Sequence, residues 1–323
     1  MTNTLTEMAT TYNLPNYTGE LFEATPANTP FLSAIGGLTG GKSVASPVFS
    51  WQGYDLRDAN AENQKTEGAD VAAYTEQKRF NVENVTEIHQ EAISISYSRL
   101  GANRMRTVDS GEKMVQIGST SVPASELAFQ IDVALKNIAR DVEKGFLNNT
   151  MVKPSDNGTA RRSGGLLGVI KTNKVTTEKT AKTITEDDVL DLIQKVWDNG
   201  GMRESETATL IVNSTLKRAL TRIFLKDANR VESSRNVGGV NLQTIETDFG
   251  KLNIMLNSYV SKTDLIVCSL EQCAPAFLEV PGKGHFFVEP LAKTGSAEKV
   301  QLYGEIGLQY GNEKAHGVLT VAS

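Results

Sequence analysis

Five groups of residues have the types and spacing to do chemistry in this chain of 323 residues. The most specific is "GGLTGGKS", Gly36 to Ser43, which fits G-x-x-x-x-G-K-[ST] at every fixed position. In a phosphate loop the glycines let backbone N–H groups curl around phosphates, the Lys reaches the terminal phosphates and the hydroxyl holds Mg²⁺. Those parts converge only when a strand leads in and a helix leads out. Here the approach, "TPANTPFLSAI", carries Pro26 and Pro30 and reads as no buried strand. Pro47 stands where the exit helix should run. Phe49 and Trp51 alternate with Ser50 and Gln52 as a strand does. The apolar strands "TLIVN" and "DLIVCSL" do not end in a second metal-binding Asp. The segment therefore reads as a flexible Gly-rich link, with a phosphate-loop enzyme kept as an alternative.

The other groups are looser. Glu87, His89 and Glu91, at i, i+2 and i+4 of a strand, point the same way and could bind a divalent cation, or could be a polar face that meets a neighbour. Cys268 and Cys273 have no second pair and no His near them in sequence, so they read as two reduced thiols in a cytosolic protein. Arg161 and Arg162 beside glycines could cradle an anion or simply turn the chain. Glu305, Glu313, Lys314 and His316 look catalytic, but the last three flank a tight turn, where cross-strand charge pairing accounts for them. There is no G-x-S-x-G elbow and no H-E-x-x-H. The expectation is no catalytic residue, no cofactor and no metal.

Composition narrows the class. The net charge of −5 gives no reason for general nucleic-acid affinity. No apolar run is long enough to span a membrane. No Lys or Arg precedes Lys42, which argues against a secretory signal or mitochondrial presequence.

The elements that must position these groups follow from pattern. Residues 1–46 are Thr- and Asn-rich with scattered prolines and read as an arm that lies on another surface. Residues 47–98 read as one long hairpin, with Ile93, Ile95 and Tyr97 on one face of its returning strand and a polar, charged stretch between its strands. Residues 122–149 read as the strongest helix, with Leu127, Ile131, Leu135, Ile138, Val142 and Phe146 in one stripe and Asp132 facing Lys136. From residue 184 helices and strands mix. Thr185 with Asp188 makes a capping box, "STLKRALTRIF" is a helix, "LKDANRVESSRNVGGVN" is a polar loop, and "LQTIETDFGKLNIMLN" is a hairpin. "LIVCSL", "AFLEV" and "HFFVEPL" are short strands, and the end of the chain reads as a strand pair turning at Gly311 and Asn312.

Taken in order, "TPFLSAI" with "FSWQGYDL", "VENVTEIHQEAISISYS", "ALKNIARDVEKGFLNN", "GLLGVI", "TLIVNSTLKRAL", "TDFGKLNIMLNSYV" and "LYGEIGLQYGNEKAHG" resemble a tailed-phage major capsid protein of the SU10 type. The resemblance implies an α+β fold of the Hong Kong 97-like kind. Its parts would be an N-terminal arm (1–46), an extended β-hairpin loop (47–98), a peripheral domain (99–170, with the spine helix at about 122–149, and 290–323) and an axial domain (171–289). It implies a structural function: pentamers and hexamers forming an icosahedral head shell around phage double-stranded DNA, which is touched only non-specifically. The implied partners are further copies of the chain, a portal, decoration proteins and a scaffolding protein. Some relatives begin with a helical scaffolding segment that is later cut off; this sequence opens on the arm, so scaffolding is expected from a separate protein or an already cleaved segment. The implied location is the virion, after assembly in the bacterial cytoplasm. Another tail or decoration protein is the remaining structural alternative. Loop-tip contacts between subunits would come from Arg57, Asp58, Glu62, Lys65, Glu67 and Asp70, within a tip running from Arg57 to Ala73. Some members of this fold join subunits by an isopeptide bond from a loop Lys to a neighbour's Asn, assisted by a Glu. Lys65 is the single Lys between Trp51 and Gln77, but Glu62 and Glu67 stand close by and no large apolar residue shields it, so no cross-link is expected.

Overall fold

The computed structural model describes residues 28–70, 76–102, 114–117, 120–156, 158–201, 208–226 and 244–322. Most of the arm (1–27), part of the hairpin tip (71–75) and most of the polar loop (227–241) lie outside the described residues.

Two sheets carry the fold. The first has five strands: β1 (Lys42–Val44), β4 (Glu87–Ser96), β12 (Ala274–Leu278), β13 (Phe286–Pro290) and β14 (Ala297–Gln309). The long β14 is its centre, pairing with β4 along one edge and with β13 and β12 in turn along the other. Helix α3 (Ala124–Asn148) lies across β4 and β14. Its apolar stripe is the expected one: Leu127, Ile138, Val142 and Phe146 are buried, and Ile131 and Leu135 are half-buried. Asp132 and Lys136 form the expected i,i+4 pair at 3.1 Å on the exposed face.

The second sheet has six strands in the order β7 (Lys174–Thr180), β15 (Gly317–Ala322), β11 (Asp264–Cys268), β8 (Ala208–Val212), β10 (Gly250–Leu256) and β9 (Thr244–Thr247). Helices α5 (Glu186–Asp198) and α6 (Ser214–Lys226) cover one face. The other face joins the α3 core: in β8, Leu210 and Val212 point to the helices and Ile211 to the α3 side, and in β11, Leu265 and Val267 oppose Ile266 and Cys268. Burial on both faces explains why "ATLIV" and "DLIVC" are apolar without alternation. The capping box of Thr185 and Asp188 forms at the start of α5, and β9 and β10 form the expected hairpin.

Two expectations need correction. The last two strands do not pair. Both edges of β14 are already occupied, so the chain crosses over and β15 pairs with β11 and β7. The returning strand is also not one strand of a single hairpin. Arg79–Val85 pairs with Val48–Tyr54, but β4 pairs with β14, and at Ser96 it stops, so that Tyr97 opens helix α2 (Tyr97–Ala102) instead of extending the face of Ile93 and Ile95. The sheets thus exchange strands along the chain: β12 and β13 pair with β14, while β15 joins the second sheet.

Candidate assembly surface and the joints that position it

The hairpin consists of β2 (Val48–Tyr54) and β3 (Arg79–Val85), in antiparallel register from Val48 with Val85 to Tyr54 with Arg79. Among the described residues its polar ties to the rest of the chain beyond the base run from Glu83, which Lys153 holds at 3.0 Å, through Trp51 to Asp55. Trp51 donates its indole N–H to the Gly311 carbonyl at 2.7 Å and meets the Tyr310 ring edge-on at 4.9 Å. Lys314 and Asp55 approach at 3.7 Å. Apart from that contact of Asp55, the surface beyond Trp51 is open, with Tyr54, Leu56 and Phe80 exposed. Residues 55–70 have no regular structure, and Arg57, Asp58, Glu62, Lys65, Glu67 and Asp70 all face solvent. The hydrogen bonds of this stretch are local: Arg57 to the Asp58 carbonyl, the Glu62 amide to Asn60, and the Ala69 amide to the Thr66 carbonyl. Among the described residues none of the six joins an ion pair.

At the hairpin base the chain passes from β3 to β4 through Thr86, and buried polar groups lock the passage. The Asn84 side-chain amide donates to the carbonyls of Leu308 at 2.7 Å and Gly164 at 3.1 Å, and its oxygen accepts the Gly164 amide at 2.8 Å. Glu87 accepts the Ser163 amide at 3.0 Å and meets His89 Nε2 at 3.0 Å. Glu87, His89 and Glu91 therefore share a face as expected, but they do not gather as a three-ligand set. Arg161, the possible anion cradle, already holds one from its own chain: its guanidinium meets Glu305 at 2.9 Å. The Tyr303 hydroxyl donates to the same carboxylate at 2.7 Å, and burial with that bond pushes the Tyr303 pKa up to about 12.

Gly36–Ser43 has the wrong order of elements for a phosphate loop. Helix α1 (Pro30–Ile35) precedes it and strand β1 follows. It does link two elements, but it is packed rather than free. Gly41 has φ of 140°, and a Cβ there would run into the Pro275 carbonyl. The start of α1 is pinned by a residue that the apolar stripe of α3 gave no reason to notice. The Glu143 carboxylate, fully buried, accepts the amides of Phe31 at 2.9 Å and Leu32 at 2.6 Å and the side-chain amide of Asn257. Burial raises the Glu143 pKa although these three donors pull it down.

The crossings between the sheets meet at one place. Glu313 accepts the amides of Lys171 at 2.8 Å and Thr172 at 3.2 Å, and also the Thr172 hydroxyl. The Asn173 side chain donates to the carbonyls of Lys314 at 2.7 Å and His316 at 3.0 Å. His316, fully buried, donates from Nε2 to the Tyr310 carbonyl at 2.7 Å. Cross-strand charge pairing is thus not what Glu313, Lys314 and His316 do, because the turn is not a hairpin. Glu305 lies apart from them, with Arg161. The two cysteine sulfurs are 3.7 Å apart and His316 stands beside them, a neighbour that linear spacing could not reveal.

Among the described residues no helix is long and apolar enough to cross a membrane. A family model described as SU10 major capsid protein matches residues 3–323. A curated relative, the major capsid protein of Escherichia phage Phieco32, is 24% identical over 92% of this chain and 91% of its own length. Among solved structures, the cyanophage A-1(L) capsid aligns with a TM-score of 0.64 at 8% identity, over 95% of this chain and 96% of that one. The capsid of a native GTA particle aligns with a TM-score of 0.63 at 12% identity, over the full length of both. The fold is the Hong Kong 97-like capsid fold.

Proposed function

The chain belongs to the SU10 major capsid protein family, and from that premise we propose that it builds a phage head shell through the exposed half of its β2–β3 hairpin. The family, the phage relative and the capsid neighbours make it a structural protein of the virion shell. The finer reading is that pentamers and hexamers of the chain close an icosahedral shell around double-stranded DNA. The shell is assembled in the bacterial cytoplasm with a scaffolding protein and a portal, and decoration proteins are further partners. The hairpin would be the extended loop and α3 the spine helix. The first sheet would be peripheral and the second sheet axial.

The observation that carries the hairpin's role is the contrast along its length. Its first half is bonded to its own chain through Trp51, whereas from Tyr54 to Asp70, apart from the 3.7 Å contact of Asp55 with Lys314, apolar and charged side chains face solvent. Tyr54, Leu56 and Phe80 supply apolar contact, and Arg57, Asp58, Glu62, Lys65, Glu67 and Asp70 supply polar register on a neighbour. Replacing residues 57–73 by a short Gly-Ser turn tests this. The purified subunit keeps its melting temperature, and electron microscopy shows shells lost or strongly reduced. Normal shells from that variant would refute the assignment.

A further inference from the structure

We propose that Cys268, Cys273 and His316 form a binding site for one soft d¹⁰ cation, Zn²⁺ or Cu⁺, which clips the two sheets together where the chain crosses between them. The donors come from both crossings. Cys268 ends β11 in the second sheet, Cys273 immediately precedes β12 in the first, and His316 lies between β14 of the first and β15 of the second. All three are buried, and their donor atoms lie within 4.8 Å of one another. The Sγ–Sγ distance of 3.7 Å fits a shared ion without movement of either side chain, because two thiolates each about 2.3 Å from a tetrahedral centre stand about 3.8 Å apart.

The support of the histidine is already in place. A ligating imidazole almost always donates its other ring N–H to a carbonyl or carboxylate, which fixes its tautomer. The Nε2 bond to the Tyr310 carbonyl at 2.7 Å does this and puts the lone pair on Nδ1. That nitrogen is 3.4 Å from the Ser269 amide, a long contact that a metal bond would displace. Two sulfurs and a nitrogen are soft donors, which exclude Mg²⁺ and Ca²⁺. Charge also balances. Binding releases two thiol protons to solvent, and two thiolates with Zn²⁺ and a neutral imidazole sum to zero, so the loaded site adds no net charge to the core. Cu⁺ is satisfied by three donors at the cost of one net negative charge; Zn²⁺ recruits a fourth. The proposal concerns the folded subunit and does not depend on shell assembly.

The test uses full-length protein without a polyhistidine tag, reduced and freed of metal with a chelator. Co²⁺, the spectroscopic stand-in for Zn²⁺, is titrated in one arm, and Cu⁺ competed against a chromogenic Cu⁺ chelator in the other. One equivalent per chain is expected in at least one arm. A thiolate-to-cobalt charge-transfer band marks the first arm, and the melting temperature rises with metal in whichever arm binds. Cys268→Ser and Cys273→Ser remove stoichiometric binding, and His316→Gln weakens it by at least the roughly 10–100-fold that loss of a supporting group alone costs. Wild-type protein that takes up neither metal stoichiometrically overturns the proposal. So does a Cys268–Cys273 disulfide, seen as the loss of two hydrogens in the mass of protein isolated without reductant. The wild-type titration decides by itself, so a variant that fails to fold leaves no escape.

Discussion

Residues 57–70 and residues 310–316 are both short, charged, polar segments that link strands, yet they spend their polar groups in opposite directions. In the second segment Glu313 holds two amides and a hydroxyl, His316 holds the Tyr310 carbonyl, and the Lys314 and His316 carbonyls are held by Asn173. In the first, the hydrogen bonds reach three residues along the chain at most. A buried polar group without a partner costs roughly 1–3 kcal/mol, whereas an exposed one is served by water at little cost. The crossing segment must therefore find its partners inside the chain. The hairpin tip need not, and its groups stay available to another subunit. Changes at the core and at the crossings should register in the stability of one subunit, and changes at the tip in assembly alone.

The hardest test of that division is Ile138→Asp. Ile138 is 1% exposed on the core face of α3, and an unpaired carboxylate there costs several kcal/mol against a total stability of about 5–15 kcal/mol. Insoluble or protease-sensitive protein is expected. Ile131, half-buried on the same stripe, should tolerate Asp better, because its carboxylate can turn to water. Equal solubility of the two variants would show that depth on the stripe does not set the cost.

A smaller effect is expected at Glu143. Alanine there strips the partner from the Phe31 and Leu32 amides and from Asn257, while it also removes a desolvated charge. We expect a net loss of about 2–4 kcal/mol in denaturant unfolding. Faster proteolysis near residues 30–44 should accompany it, because α1 is held to α3 at this point. Unchanged cleavage in that stretch would mean that the apolar contacts of Phe31, Leu32 and Ile35 suffice.

Acid sharpens the comparison further, since two carboxylates that both accept backbone amides shift in opposite senses. Burial raises Glu143 above the ordinary range. Its contribution to stability is fully present below the unfolded value of about 4.3 and is lost as pH rises through its folded pKa. Glu313 is also pushed up by partial burial, but the Thr172 hydroxyl and the amides of Lys171 and Thr172 outweigh this and lower it. Its contribution is present above about 4.3 and is lost as pH falls through its folded pKa. The stability gap between wild type and Glu313→Gln should therefore close with acidification. Against Glu143→Gln, wild type should instead gain as pH falls. Parallel pH profiles for the two variants would contradict this assignment.

What was legible in the sequence is what depends on neighbours along the chain. The α3 stripe, the Thr185–Asp188 capping box and the β9–β10 turn each rest on residues a few positions apart, and each formed. The long hairpin formed only in its β2–β3 part, because β4 pairs instead with the distant β14. The partners of Glu143, Arg161 and His316 come from elements far away in sequence. A carboxylate on a helix gives no sign of which amides will be brought to it. The final strand pair failed for a related reason: pairing across a turn is a sensible local default, but it ignores that β14 has no free edge. Resemblance to a family supplied the order of parts that local reasoning could not.

The smallest expected effect is at Lys65, where the comparison predicts no covalent chemistry. To attack an amide carbonyl its ammonium must first lose a proton, which takes a dry pocket and a base. Lys65 is exposed, as are Glu62 and Glu67 near it, so water solvates the charged form. Of the Asn–Glu pairs a neighbour could offer as acceptor and base, the adjacent Asn312 and Glu313 are already employed at the crossing. The Asn312 side-chain oxygen accepts the Lys314 amide at 3.1 Å, and the Asn312 backbone N–H donates to the Gln272 side-chain oxygen at 3.1 Å. Glu313 is bound to Thr172 and to two amides, and its lowered pKa makes it a poor proton acceptor. Recruiting the pair for a cross-link would undo the contacts that hold 171–173 to 312–316. Mature particles boiled in detergent should therefore run as a single band near 35.0 kDa, and Lys65→Arg particles should run identically. A ladder of multimers that disappears in Lys65→Arg would show that a neighbouring subunit supplies both a dry pocket and a base to a side chain that is wet in the single chain.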